Sequence, residues 1–283
     1  YTPDNEKKYE HAAKVLAETT KYLSKEVGEY PYNQISIVDG PLYAGGGMEY
    51  PNIAIIGSLP DQPTVNVVIV HEAGHNWFQG ILGSNERVHP WLDEGLNTAN
   101  EIRYMETKYP NNGFFSDNFG GIDKALHISG ISHHHGSDLM YNLMAGEGKD
   151  QPIETHSNDL TPTNYGAIAY AKTGLVFSYL RDYLGDSIYD ICMVEYYKQW
   201  HYKHPQPSNL RTIFESKTGK DLSWFFGDVI QTTKQIDYRI TKVKNSDNST
   251  FRDNQCQFIF LDLLGSLVIS SFIKSLNTFI SIK

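Results

Sequence analysis

Cysteine is scarce in this sequence. Cys192 and Cys256 are the whole complement of 283 residues, which excludes a disulfide-stapled scaffold and reads as two ordinary buried thiols. Basic clusters are missing as well. With a formal charge of −9 and no long lysine or arginine run, the chain lacks the concentrated positive face that nucleic acid requires. The N-terminus, YTPDNEKKYE, has neither a starting Met nor a basic-then-apolar leader, so the sequence reads as a fragment whose targeting peptide or preceding domain lies outside it. Long apolar runs are confined to the C-terminus. FIFLDLLGSLVISSFIKSLNTFISI (258–282) has the length of a membrane span, but Asp262 and Lys274 inside it argue against one. No internal repeat is visible.

What is present suits a globular protein. The hydrophobic share of 40% and aromatic share of 13% can fill a core for one large domain or two modest ones. Tyr9, Ala12, Ala13, Leu16, Leu23 and Val27 recur at helical spacing between 5 and 27, and that helix ends before Pro31. QISIVDG (34–40) and NIAIIGS (52–58) read as neighbouring strands joined by the glycine-rich PLYAGGGMEYP. TVNVVIVHEAGHNWFQG predicts a helix running to Gly80, and WLDEGLNTANEIRYMETKY predicts another, started by Pro90. Residues 111–160 are rich in Gly, Asn, Asp and His and predict irregular structure with short helical turns. Helical patterning returns in AYAKTGLVFSYLRDYL, SIYDICMVEYYKQW, SNLRTIFESKTG and DLSWFFGDVIQ. IDYRITKV (236–243) alternates like a strand, NSDNST reads as a linker, and the tail beyond it shifts abruptly in composition.

The chemistry is concentrated in VHEAGHN. His71 and His75 are four apart, so a helix projects both from one face where they can hold one metal ion, with Glu72 beside them. A catalytic zinc site needs a third protein ligand and an open fourth position. Glu94 follows His75 after eighteen residues, room enough to finish one helix, turn, and present a carboxylate from the first turn of the next. Glu101 lies two helical turns further on the same face, where it can orient an imidazole through its other ring nitrogen. Gly74, a poor helix former between the two histidines, is explained if another element must approach the helix closely there.

These residues resemble the zinc aminopeptidases typified by aminopeptidase N, within the gluzincin metallopeptidases. The resemblance runs from about residue 30 to 235 and rests on three ordered motifs: HEAGH with Glu94 in WLDEGLN and the acidic Glu101; Gly46, Gly47, Met48, Glu49 and Tyr50, similar to the family's G-x-M-E-N; and Tyr170 in YAKTG, with Tyr165 five before it. Tyr50 stands where the family usually has Asn. The resemblance implies one zinc ion per chain held by His71, His75 and Glu94, with Glu101 supporting a ligand and Glu72 as general base. It implies that Tyr170 stabilises the transition state and that Glu49 holds a peptide's free amino group, with the backbone of Gly46, Gly47 and Met48 alongside. It further implies a thermolysin-like α+β catalytic domain over 1–235, a small sheet lobe and a helical lobe with the zinc cleft between them. Residues 236–283 would then be the start of a β-type segment and an atypical apolar tail. Relatives carry a β-rich domain ahead of this region that contributes to the amine site, and it lies outside this sequence.

The expected protein is a soluble zinc aminopeptidase, cytoplasmic or exported, acting on peptides. Two other functions fit the same residues: an endopeptidase on the same zinc site, and a non-catalytic peptide-binding module that retains the metal. Glu72 and Tyr170 argue against the module, which needs neither. The HHH at 133–135 reads as a loop, since adjacent histidines point apart and no carboxylate stands at a defined spacing from them. Trp77, Phe78, Trp91, Trp224, Phe225 and Phe226 are expected in the core.

Overall fold

The β-branched stretches SIVD and IAII form strands β1 (Ser36–Asp39) and β3 (Ile53–Ile56), which run parallel with Ser36 opposite Ile53. Between them in sequence, β2 (Gly47–Met48) pairs antiparallel with β3, giving the order β1-β3-β2. The sequence did not announce β2, because two residues carry no alternation. This computed structural model describes residues 1–42, 46–110 and 132–234, together with the backbone of three short strands beyond them.

Helix α1 (Ala12–Glu26) buries Val15, Leu16 and Leu23. Helix α2 (Gln62–Gly74) begins where Asp61 accepts a hydrogen bond from the Thr64 backbone N–H at 2.8 Å, a cap that contributes about 1 kcal/mol. Its buried residues Val65, Ile69, Val70 and Ala73 join Ile56, Leu16 and Tyr104 in one apolar cluster under the sheet. Trp77, Phe78, Trp91, Phe177, Phe214, Phe225 and Phe226 belong to a second, larger cluster in the helical half, against which Trp224 packs partly buried. The two histidines of HEAGH therefore lie where the chain passes from one cluster to the other. This is an α+β fold with a small sheet lobe and a helical lobe.

Helix α2 stops at Gly74 instead of running to Gly80. Beyond it the chain makes a tight turn in which the Gly80 N–H bonds to the His75 carbonyl at 2.9 Å, and Gln79 adopts a positive φ of 79°. The next helix opens as a π-turn (Trp91–Gly95) before continuing as α3 (Leu96–Lys108). Of the stretch 111–160, expected to be irregular with short helical turns, residues 111–131 lie outside the described residues, and His133–Gly146 forms a full helix, α4. Ser132 caps it, and Tyr141 and Met144, one turn apart, pack against the helical core; these signals were diluted by the surrounding polar residues. A second π-turn (Tyr165–Lys172) leads into α5 (Thr173–Leu184), followed by α6 (Asp186–Trp200), α7 (Pro207–Thr218) and a third π-turn (Trp224–Val229). Cys192 is a buried free thiol; Cys256 lies outside the described residues.

The strand expected at 236–243 is present as β4 (Ile240–Lys244), and Thr250, expected to close a linker, starts β5 (Thr250–Phe251). Strand β6 (Ile280–Ile282) pairs with β4 on its other edge. The rest of the apolar run 258–282 lies outside the described residues, among which no helix is long and apolar enough to cross a membrane.

Candidate active site

His71 leaves the last turn of α2 and His75 caps it, so the two rings meet at right angles, 80° between planes. Their Nε2 atoms face each other at 3.1 Å, and Glu94 Oε2 stands 3.2 Å from each. The outer ring nitrogens are engaged by carboxylates. His71 Nδ1 is 2.7 Å from Glu101 Oε2, and His75 Nδ1 is 2.8 Å from Asp93 Oδ1. In its neutral form each imidazole donates its Nδ1–H to that carboxylate, which turns its Nε2 lone pair toward the point that Glu94 also faces.

The electrostatics of this point favour positive charge. Burial disfavours a charged His71, yet the hydrogen bonds to Glu101 and Glu94 carry its pKa up to about 10. Burial opposes charge on His75 too, and Asp93 and Glu94 raise it well above the usual imidazole value. Burial would raise Glu94, but His75 and His71 hold its carboxylate far below the usual range. Glu72, 5% exposed, is pushed up to about 7 by burial, with His71 and His75 acting in the opposite direction.

Two glycines permit this geometry. A Cβ on Gly74 would fall 1.9 Å from Asn97 Oδ1, and Asn97 Nδ2 donates to the His71 carbonyl at 2.7 Å, so α3 is the element that Gly74 admits. A Cβ on Gly47 would fall 2.3 Å from Glu72 Oε1, so the backbone of β2 lies directly on that carboxylate. Gly46, with φ of 43°, turns the chain into β2. Met48 and Glu49 follow half-buried, and Tyr50 is 51% exposed. Carboxylate oxygens of Glu49, Glu86 and Asp93 lie within 4.8 Å of one another, an acidic patch beside the histidines.

Tyr170 projects from the π-turn Tyr165–Lys172 and stacks on His71, ring centroids 5.6 Å apart and 17° between planes. Burial first, then the nearby charge of Glu94, hold its hydroxyl protonated far above the usual phenol value. Tyr165 lies edge-on to Tyr170 at 5.6 Å. The π-turn is anchored by Lys172, 2% exposed, whose Nζ is 3.3 Å from Asp150 Oδ2. Gly95 admits it, since a Cβ there would fall 2.8 Å from the Ala169 carbonyl oxygen and 2.1 Å from Thr173 at the start of α5.

The peptidase family M1 domain matches residues 7–229 of this sequence. The chain belongs to peptidase family M1. Among similar proteins, Aminopeptidase 2 of Candida albicans is 24% identical over 276 residues, covering 91% of this chain and 28% of that protein. Aminopeptidase M1-C of Oryza sativa subsp. japonica is 22% identical over 227 residues, covering 76% of this chain and 24% of that protein. A crystal structure of an M1 zinc metallopeptidase from Deinococcus radiodurans superposes with a TM-score of 0.60 at 17% identity, over 79% of this chain and 45% of that one. The chain thus spans under a third of the length of these two relatives.

Of the site residues expected from the sequence, His71, Glu72, His75, Glu94, Glu101, Tyr170 and Glu49 lie close together, with Gly47 packed on Glu72. Asp93, Asn97 and Glu86 were missed. Asp93 had one signal, an acid directly preceding Glu94 at the start of a helix; Asn97 and Glu86 had none. The loop reading of the HHH is overturned. His133, His134 and His135 form the first turn of α4, and two of them do meet carboxylates of α3, Glu101 and Glu106. They still point apart, as His135 bonds back to Ser132 Oγ at 2.7 Å.

Proposed function

We propose that this M1 chain is a zinc-dependent aminopeptidase catalytic unit that releases the N-terminal residue of peptides. The observation that carries the reading is the triangle of His71 Nε2, His75 Nε2 and Glu94 Oε2, with edges of 3.1, 3.2 and 3.2 Å. Tetrahedral zinc ligands at 2.0 to 2.1 Å from the ion stand about 3.4 Å apart, so these three atoms fit one ion with a fourth position open. The donor set, two imidazoles and one carboxylate with each imidazole backed by another carboxylate, is that of a catalytic zinc site. Zinc held there would supply Lewis acidity, making a water acidic enough to be deprotonated near neutral pH.

Glu72 takes the proton of the attacking water and delivers it to the leaving amine, a role suited to a buried carboxylate whose pKa is near neutrality. Tyr170, kept protonated by burial, donates a hydrogen bond to the oxyanion that develops on the scissile carbonyl. The backbone of Gly46, Gly47 and Met48 aligns the peptide beside Glu72. Glu49 holds the substrate's free ammonium, and the nearby Glu86 and Asp93 deepen the negative field that attracts it. The catalytic unit is assigned to 1–235, with 236–283 outside it, in keeping with the family match over 7–229.

The test compares kcat/KM for one peptide with free and acetylated N-termini, in the wild type and in Glu49→Ala. The free peptide should be strongly preferred by the wild type, and Glu49→Ala should raise KM and narrow the gap. Equal rates for both peptides would leave an endopeptidase on the same site. Zinc bound without turnover of any peptide would leave a binding module.

A further inference from the structure

The histidine run that sequence patterning set aside reaches the metal site from behind. The first residue of α4, His133, brings its Nε2 into contact with Glu101 Oε1. The other oxygen of the same carboxylate, Oε2, is 2.7 Å from His71 Nδ1. All three side chains are enclosed, with exposures of 11%, 9% and 13% for His133, Glu101 and His71. A carboxylate with a single partner can swing about its terminal torsion, which is broad for glutamate. A second donor on the opposite oxygen removes that freedom.

We infer that His133 is a positioning residue for the metal centre: by gripping Oε1 of Glu101 it fixes the carboxylate that sets the tautomer and tilt of the His71 imidazole. The inference rests on the reading of His71 as a zinc ligand. The line His133 to Glu101 to His71 joins α4, α3 and α2, three helices brought together from distant parts of the sequence. Helix α4 also lies on the π-turn that carries Tyr170, since Met140 Cε would stand 3.0 Å from a Cβ on Gly166 and Lys172 sits 5.1 Å over the Tyr141 ring. The two neighbouring histidines supply internal controls. His134 faces Glu106 at 3.2 Å and Asp138 at 3.9 Å, and His135 faces Ser132; neither contact involves Glu101.

The experiment measures the rate at which zinc leaves the full chain into excess chelator, without substrate. Residues that directly back a zinc ligand are worth about 10- to 100-fold in metal affinity or activity, so Glu101→Ala should fall in that range and His133→Ala should accelerate release by about 10-fold. His133→Gln, whose amide can still donate to Oε1, should restore most of the slow release, and it keeps the test alive if the alanine variant folds poorly. His134→Ala should match the wild type. The double variant His133→Ala/Glu101→Ala should release zinc no faster than Glu101→Ala alone, because one acts through the other. With cobalt in place of zinc, His133→Ala should shift the visible absorption bands, which a distant folding defect would leave in place. Wild-type release from His133→Ala, multiplying effects in the double variant, or equal effects of His134→Ala and His133→Ala would each overturn the inference. A wild-type chain that takes up no zinc would instead overturn the metal reading itself, before any variant is compared.

Discussion

Asp93 Oδ1 stands 2.8 Å from His75 Nδ1, with both side chains only 2% exposed. The adjacent Glu94 faces the same imidazole on its other nitrogen, so successive residues of one π-turn grip His75 from both sides. Asp93→Ala should weaken zinc binding by about 10- to 100-fold, the range for residues that orient a ligating histidine. Asp93→Asn keeps an acceptor oxygen and should lose less. Metal retained against a graded chelator series checks both; unchanged retention in the alanine variant would remove Asp93 from the site.

Glu72→Gln should keep zinc and lose about 10²- to 10⁴-fold in turnover, since the amide retains the shape but cannot take the proton. Metal stoichiometry and kcat measured on one sample decide this.

The same substitution has a pH signature in the metal-free protein. Burial lifts Glu72 from 4.5 to about 7, so the folded state holds this proton more tightly than the unfolded chain and stability drains away as pH rises through that window. Relative to the wild type, Glu72→Gln should gain thermal stability progressively from pH 4.5 to about 7 and then level off. A difference in Tm that does not change across this range would contradict the burial of charge.

Gly74→Ala pits two effects against each other. Alanine favours a helix by about 1 kcal/mol over glycine, but here its methyl meets Asn97 Oδ1 at 1.9 Å. The substitution should destabilise the wild type, yet become neutral or stabilising in an Asn97→Ala background. Denaturant midpoints of the four proteins provide the check.

A chain ending at Lys244 should melt within about 2 °C of the full sequence if 236–283 stands outside the catalytic unit. A larger fall would make the tail part of it.

What the sequence disclosed was whatever depended on short, fixed spacing. His71 with His75, and Glu94 with Glu101, are readable because a helix turns intervals of four and seven into one face. Gly74 was readable as a point of close approach, though not that Asn97 was the approaching group. The contacts of Asp93 and His133 were not readable, because they link residues 18 and 32 positions apart and are set by how helices pack. Helix α2 ended six residues early for a similar reason: apolar patterning continues through Trp77 and Phe78, but these side chains fill the second core cluster from a turn.

Tyr165–Lys172 is wound as a π-turn, so the chain there holds more residues per revolution than the helix that follows it. Each residue of an α-helix accounts for about 100° of rotation, and the surplus residue therefore acts as a phase shift between Tyr170 and everything downstream. Removing one residue between Tyr165 and Tyr170 would let the segment relax into ordinary helix while α5 kept its seat in the core. The tyrosine would then be carried around the axis, off the face of His71, with no atom of the metal triad disturbed. The proposed activity is thus written partly in the count of residues, and a single-codon deletion would silence it while every named side chain survives.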